Sequence, residues 1–166
     1  VTDAHLNTAN DADADITAIY ADGATLTTAA GKDLNILSGD TFGPTGAVVV
    51  GGDMASNGTY TPALTTAVTG DLSIGAAGVI TAGGATTVGD DFSNLGTYTA
   101  GATTLSVAGD FTNDATATFT AGTGLVEFTG TTAQVVTTNG DALNNVENKN
   151  TTAVVSLGSA LTVGGT

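Results

Sequence analysis

An all-β fold, a parallel β-solenoid with coils of about 20 residues, is what this sequence predicts, and three observations predict it. A phrase recurs roughly every twenty residues, apolar and polar residues alternate within each recurrence, and Gly, Asn or Asp separate the alternating runs. Residues 88–122, VGDDFSNLGTYTAGATTLSVAGDFTNDATATFTAG, show the recurrence most plainly. Val88, Asp91 and Phe92 return as Val107, Asp110 and Phe111, and Tyr98-Thr-Ala-Gly101 returns as Phe119-Thr-Ala-Gly122.

Taking the acidic residue of the phrase as an anchor, Asp33, Asp53, Asp71, Asp91 and Asp110 are separated by 20, 18, 20 and 19 residues. Three positions earlier stand Val50, Val68, Val88 and Val107, and one position later Leu34, Met54, Leu72, Phe92 and Phe111. A third apolar column follows seven to nine positions after the anchor: Phe42, Tyr60, Ile80, Tyr98 and Phe119. Tyr20-Ala-Asp-Gly23 begins the same phrase upstream. Downstream, Phe128-Thr-Gly-Thr131 and Val163-Gly-Gly-Thr166 are expected in the valine-to-anchor frame, with Thr replacing Asp.

Runs such as TLSV, TATFT and LVEF alternate with period two, the mark of a strand with one buried face. Two or three such strands per unit make one coil, which cannot bury its apolar face until a neighbour stacks on it at roughly 4.8 Å. Seven coils would rise about 30–35 Å. The alternative is an antiparallel β-sandwich, whose turns every 8–12 residues give a similar series of strands. A sandwich has no need to hold three columns at one period. Residues 1–15 lie outside the repeat as an N-terminal arm or leader, and residues 16–166 form a single β-repeat domain.

Composition agrees with strands and excludes several functions. Of 166 residues, 41% are hydrophobic but only 5% aromatic, and 24 are Gly, so Val, Ile, Leu, Ala and Thr must build the core. The net charge is −14, with Lys32 and Lys149 the only cations besides His5, so neither nucleic acid nor an anionic lipid surface is a partner. No apolar run is long enough to insert into a membrane as a helix. The start at Val1, without a charged and apolar leader, fits a mature, processed chain or an excised segment. There is no Cys, hence no disulfide framework and no thiolate metal site. Acidity, scarce Lys and abundant Thr, Gly and Asn read together as an extracellular, cell-surface protein of a prokaryote. Asn57-Gly-Thr59 and Asn150-Thr-Thr152 match the N-glycosylation pattern, which so Thr-rich a chain also produces by chance.

The stretch DFSNLGTYTAGATTLSVAGDFTNDATATFTAGTGLVEFTG resembles the degenerate repeats of secreted β-helical adhesins of the filamentous-haemagglutinin type. ALNNVENKNTTAVVSLGSALTVGGT similarly resembles strand-repeat segments of prokaryotic surface proteins and extracellular filaments. The resemblance spans residues 20–166 and implies an extracellular β-solenoid with structural or adhesive work. It implies no catalytic residue.

The last repeat, with Leu161, Val163, Gly164, Gly165 and Thr166, reads as an unfinished coil. An unfinished coil presents unpaired main-chain groups and an apolar column, a template for strand addition by another copy. Head-to-tail addition does not close on itself and generates filaments. The sequence therefore predicts a homopolymeric structural subunit, with a monomeric adhesin module that contacts surface glycans or a host surface as the alternative.

Candidate chemistry is sparse. Asp11, Asp13, Asp15 and Asp22 occupy positions 1, 3, 5 and 12 of a calcium-loop skeleton, but Ile16 stands where a turning Gly is needed, so an irregular calcium site is the expectation. Stacked anchor aspartates about 5 Å apart would repel by roughly 0.8 kcal/mol per pair in water. Hydrogen bonds from nearby turn amides are expected to offset this. His5 is the sole histidine, Trp and Arg are absent, and no phosphate-binding glycine loop occurs; the chain does not read as an enzyme. Threonine pairs such as those in TYT and TAT put hydroxyls on one strand face, as on ice-binding solenoids. Variable coil length and the interrupting aromatics argue against the regular ladder such a surface needs.

Overall fold

The computed structural model describes residues 23–165. Among them are nineteen short strands and no helix, wound into a parallel β-solenoid of about seven coils. Every ladder is parallel, which excludes the sandwich.

Five coils contribute to all three sheets, and the last two contribute to sheets A and B alone. Sheet A stacks β1 (Leu26–Thr27), β4 (Val48–Val50), β7 (Thr66–Val68), β10 (Thr86–Val88), β13 (Thr104–Val107), β16 (Leu125–Phe128) and β18 (Asn145–Asn148). Sheet B stacks β2 (Leu34–Ile36), β5 (Met54–Ser56), β8 (Leu72–Ile74), β11 (Phe92–Asn94), β14 (Phe111–Asn113), β17 (Gln134–Thr137) and β19 (Val155–Leu157). Sheet C stacks β3 (Thr41–Phe42), β6 (Thr59–Tyr60), β9 (Val79–Thr81), β12 (Thr97–Thr99) and β15 (Thr118–Thr120).

The three predicted columns are three of the inward columns. Val50, Val68, Val88 and Val107 are register partners in sheet A, and Phe128 continues them. Leu34, Met54, Leu72, Phe92 and Phe111 stack in sheet B, and Phe42, Tyr60, Ile80, Tyr98 and Phe119 in sheet C. All are buried in one continuous core. Period-two alternation explains this directly, because successive side chains of a strand leave on opposite faces.

The aromatics concentrate mid-stack. Phe92 lies flat against Phe111 at 5.0 Å between ring centroids, Tyr98 against Phe119 at 5.4 Å, and Phe92 meets Tyr98 edge-on at 5.3 Å. Offset stacking along a column and edge contact across it both suit the ring quadrupole.

Two frame assignments fail downstream. Thr131 is not at the anchor position: the corner between β16 and β17 is lengthened, and Val135 occupies the level above Asp110, donating its N–H to the Asp110 carboxylate at 2.8 Å. The buried Gln134 fills this corner, donating to the Val107 and Gly109 carbonyls and accepting from Gly130 N. Val163 forms a lone parallel bridge to Leu143, outside the three sheets, and does not enter the valine column of sheet A. The apolar-plus-glycine phrase is common to both frames, so composition alone could not separate them.

Differences in coil length collect in corners. From β2, β8 and β14 the chain reaches sheet C through a tight turn, closed by Asp40 N to Leu37 O, Gly78 N to Gly75 O and Ala117 N to Asp114 O. From β5 and β11 it passes directly through Gly58 and Gly96. These glycines seat on the turn of the coil below: a Cβ at Gly58 would lie 2.3 Å from the Leu37 carbonyl oxygen, and one at Gly96 2.3 Å from that of Gly78. Wide and narrow corners therefore alternate from β2 to β14, and both strands flanking each corner keep their register.

Two buried tyrosines differ in one hydrogen bond. Tyr60 shares one with Thr66 at 2.7 Å. The Tyr98 hydroxyl lies beside Thr86 without a hydrogen-bond partner, and burial pushes its pKa up to about 12. Tyr60→Phe is expected to destabilise the fold by about 1–2 kcal/mol, because it strands the Thr66 hydroxyl. Tyr98→Phe is expected to be neutral or stabilising by about 1 kcal/mol, because it removes an unsatisfied buried group. Urea unfolding of both variants checks the order.

Candidate functional site

Two features of the stack could do more than hold it together: an acidic corner and an open rung. The corner between sheets A and B places one anchor aspartate per coil. Each carboxylate accepts a hydrogen bond from the main-chain N–H of the next anchor: Asp53 to Asp33 at 2.9 Å, Asp71 to Asp53 at 3.0 Å, Asp91 to Asp71 at 3.0 Å and Asp110 to Asp91 at 2.7 Å. The expected offset to repulsion is therefore present, but it comes from the coil above, not from the residue's own turn. One Oδ1 of each residue is committed, and the other remains free to face solvent or a cation.

Asp90 adds a second carboxylate to this corner. One oxygen each of Asp71, Asp90 and Asp91 lie within 4.8 Å of one another, and Asp90 and Asp91 are exposed. The neighbouring negative charge of Asp91, with a smaller part from burial, holds the Asp90 carboxyl above the usual carboxylate range. This geometry offers three hard oxygen donors, fewer than calcium's full complement. The adjacent pair Asp90-Asp91 was the sequence signal for it. Asp11, Asp13, Asp15 and Asp22 lie outside the described residues, as does His5.

On the outer face of sheet A, Glu127 stands in register with Glu147 above it and Ser106 below. Lys149 forms an ion pair with Glu127 and approaches Glu147 at 3.6 Å, and the Ser106 hydroxyl donates to Glu127 at 2.8 Å. Lys149 and then Ser106 hold the Glu127 carboxyl below its ordinary range, and Glu127 in turn raises the Lys149 pKa. This cluster cancels a like-charge stack and is structural.

At the other candidate, the inward columns surface. Leu157 stacks on Val136 and Val163 on Leu143, partners that are 1% and 0% exposed, yet Leu157 and Val163 are themselves 58% and 47% exposed. Val155 and Leu161 are partly buried against the core. Gly164 and Gly165 donate to the Leu143 and Asn144 carbonyls of the coil below, and Thr166 lies outside the described residues. Leu157 and Val155 belong to this rung but escaped the sequence reading, because a lone β-strand residue shows no sign of what covers it.

Sheet C ends at β15. The Asp141 carboxylate takes the Phe119 N–H at 2.6 Å and the Asn113 side-chain amide at 3.1 Å, standing where a strand carbonyl would. A shallow cleft of about 310 Å³ opens there between Phe119–Gly122 and Ala142–Asn144. Its lining supplies main-chain groups, one hydroxyl and one amide, with no acid–base pair.

No protein-family model, curated protein or solved structure matches the chain.

The Asp90 shift sets a pH dependence. A carboxyl with a raised folded-state pKa binds more protons folded than unfolded, so its contribution to stability declines as pH rises from the ordinary value of 3.8 through the raised one. Asp90→Asn is accordingly expected to raise the melting temperature at pH 7, with the gain vanishing below pH ~3.5, where the carboxyl is protonated in both states. Thermal melts across pH check both signs.

Proposed function

We propose that the chain is a structural subunit of an extracellular filament or cell-surface appendage, in which the rung of one copy stacks head-to-tail on a rung of the next. The observation that carries this reading is the rung in which Leu157 and Val163 are exposed and Val155 and Leu161 only partly buried, stacked on residues that are dry. Every internal interface of the molecule is already a rung-on-rung contact, with main-chain bonds and in-register apolar side chains. The same contact made between copies needs no new chemistry. A strand edge supplies the hydrogen bonds, and the inward column supplies alternate side chains for the facing pockets. An unclosed translation along the solenoid axis produces a rod.

The resemblance to haemagglutinin-type adhesins and surface filaments supports the same reading and an extracellular location. The glycan-binding alternative has less support: every ring among the described residues is buried, which leaves no exposed aromatic face for a sugar. Calcium is a second component of the reading. It would bind at the free oxygens of Asp71, Asp90 and Asp91 and relieve the charge accumulated along the corner.

Negative-stain microscopy and mass photometry of the purified chain test assembly. Concentration-dependent rods are expected, and Leu157→Lys with Val163→Lys should lower the polymer fraction at least tenfold while the circular-dichroism spectrum stays that of a β-solenoid. A monomer at every concentration and calcium level overturns the proposal. For calcium, millimolar addition is expected to raise the melting temperature of the wild type but not of Asp90→Asn; equal melting with chelator and with calcium removes that component.

A further inference from the structure

The outward face of sheet C differs in kind from the rest of the surface. Because Phe42, Tyr60, Ile80, Tyr98 and Phe119 point inward, their chain neighbours project outward in two rows. One row is Thr41, Thr59, Val79, Thr97 and Thr118, and the other is Gly43, Thr61, Thr81, Thr99 and Thr120. Eight of these ten positions are Thr. The aromatics that interrupt the phrase in the sequence are thus inside, between the rows, and do not interrupt the face. Coil-length differences are absorbed at the corners, so the rows stay in register: Thr41 with Thr59, Thr59 with Val79, Thr97 with Val79 and Thr118, Thr99 with Thr81 and Thr120.

Three further properties narrow what this face could bind. It carries no charge, although the molecule has 16 acidic residues. None of the eight hydroxyls bonds to another protein group, whereas those of Thr28, Thr69, Thr103 and Thr152 each bond to a main-chain carbonyl. The backing is a packed column of four aromatic rings and Ile80, with Phe42 stacked on Tyr60 and Tyr98 on Phe119. The result is a grid of methyl–hydroxyl pairs repeating at roughly 4.8 Å across strands and about 6.6 Å along them. Each pair is stiff at χ1.

We propose that this face binds the surface of an ice crystal. A rigid, uncharged grid offers little to an ion or a flexible chain, which would bind one site at a time and lose its freedom. It matches a ligand that is itself a two-dimensional lattice of groups that both donate and accept. The two repeats lie close to those of oxygen rows on the faces of hexagonal ice, and many weak contacts then form together without ordering cost. A crystalline polysaccharide would share the periodicity but calls for exposed rings, and the rings of this sheet are inside. The inference is independent of head-to-tail assembly, which uses the ends of the coil stack and not its side.

The test is partition of the purified chain into a slowly grown ice hemisphere, with thermal hysteresis and crystal shape measured alongside. The wild type is expected to enter the ice and facet crystals. Thr97→Lys and Thr99→Lys should each reduce the included fraction at least fivefold, while Ser93→Lys on the outward face of sheet B leaves it unchanged. Val79→Thr, which fills a gap in its row, should raise hysteresis. Unfolding curves exclude a folding defect. Exclusion of the wild type from ice, equal inclusion of Thr97→Lys and wild type, or retention on crystalline cellulose or chitin without ice inclusion would each overturn the proposal.

Discussion

In this molecule the hydrogen bonds that define a strand all run to a different coil. A coil contains two or three strands, none of which pairs with another in its own turn, so an isolated coil would satisfy neither its main chain nor its apolar side chains. Stability is therefore a property of contacts between neighbouring coils. One condition makes those contacts possible, which is that equivalent residues sit directly above one another. Three inward columns, the stacked rings and the aspartate corner are consequences of that registration, because any side chain chosen for one coil is offered to its own counterpart in the next.

Registration also sets what happens where the repeat fails. In the coil after β15 the lengthened corner displaces the backbone, and polar side chains take over the vacant roles. Gln134 reaches the carbonyls of Val107 and Gly109, Asn150 reaches Gln134 and the Thr132 carbonyl, and Asp141 substitutes for a strand carbonyl above Phe119. Buried amides continue the same logic below, where Asn94 donates to Asn113 at 2.7 Å and Asn113 donates to Asp141. Each is a fixed polar group with several partners, which suits an interior where an unpaired donor or acceptor is costly.

The coil stack was legible in the sequence to the extent that it is periodic. Val68, Val88 and Val107 announce a column because the same residue returns at the same phase, and alternation within TYT or LVEF assigns a face without reference to anything distant. What could not be read depends on position along the axis. Val163 and Val107 share a local phrase, yet one forms a lone bridge to Leu143 and the other lies in sheet A, since the lengthened corner between β16 and β17 shifts the frame. The Asp71–Asp90–Asp91 grouping required knowing that corner residues of adjacent coils converge. The evenness of the threonine rows is hidden from the sequence for a related reason: residue counts per coil vary, but the variation lies in turns and leaves the ladder in register.

The alternation of wide and narrow corners has a consequence for descent and for engineering. The glycine of each narrow corner nests on the wide turn beneath it, so the smallest piece that can be copied or cut without mismatch is a pair of coils of about 38 residues, as from Phe42 to Ile80. Lengthening by one coil would set two bulges, or two bare glycines, against each other. A lineage of such proteins should therefore change size in double steps, and a designer who shortens this one should excise coils two at a time.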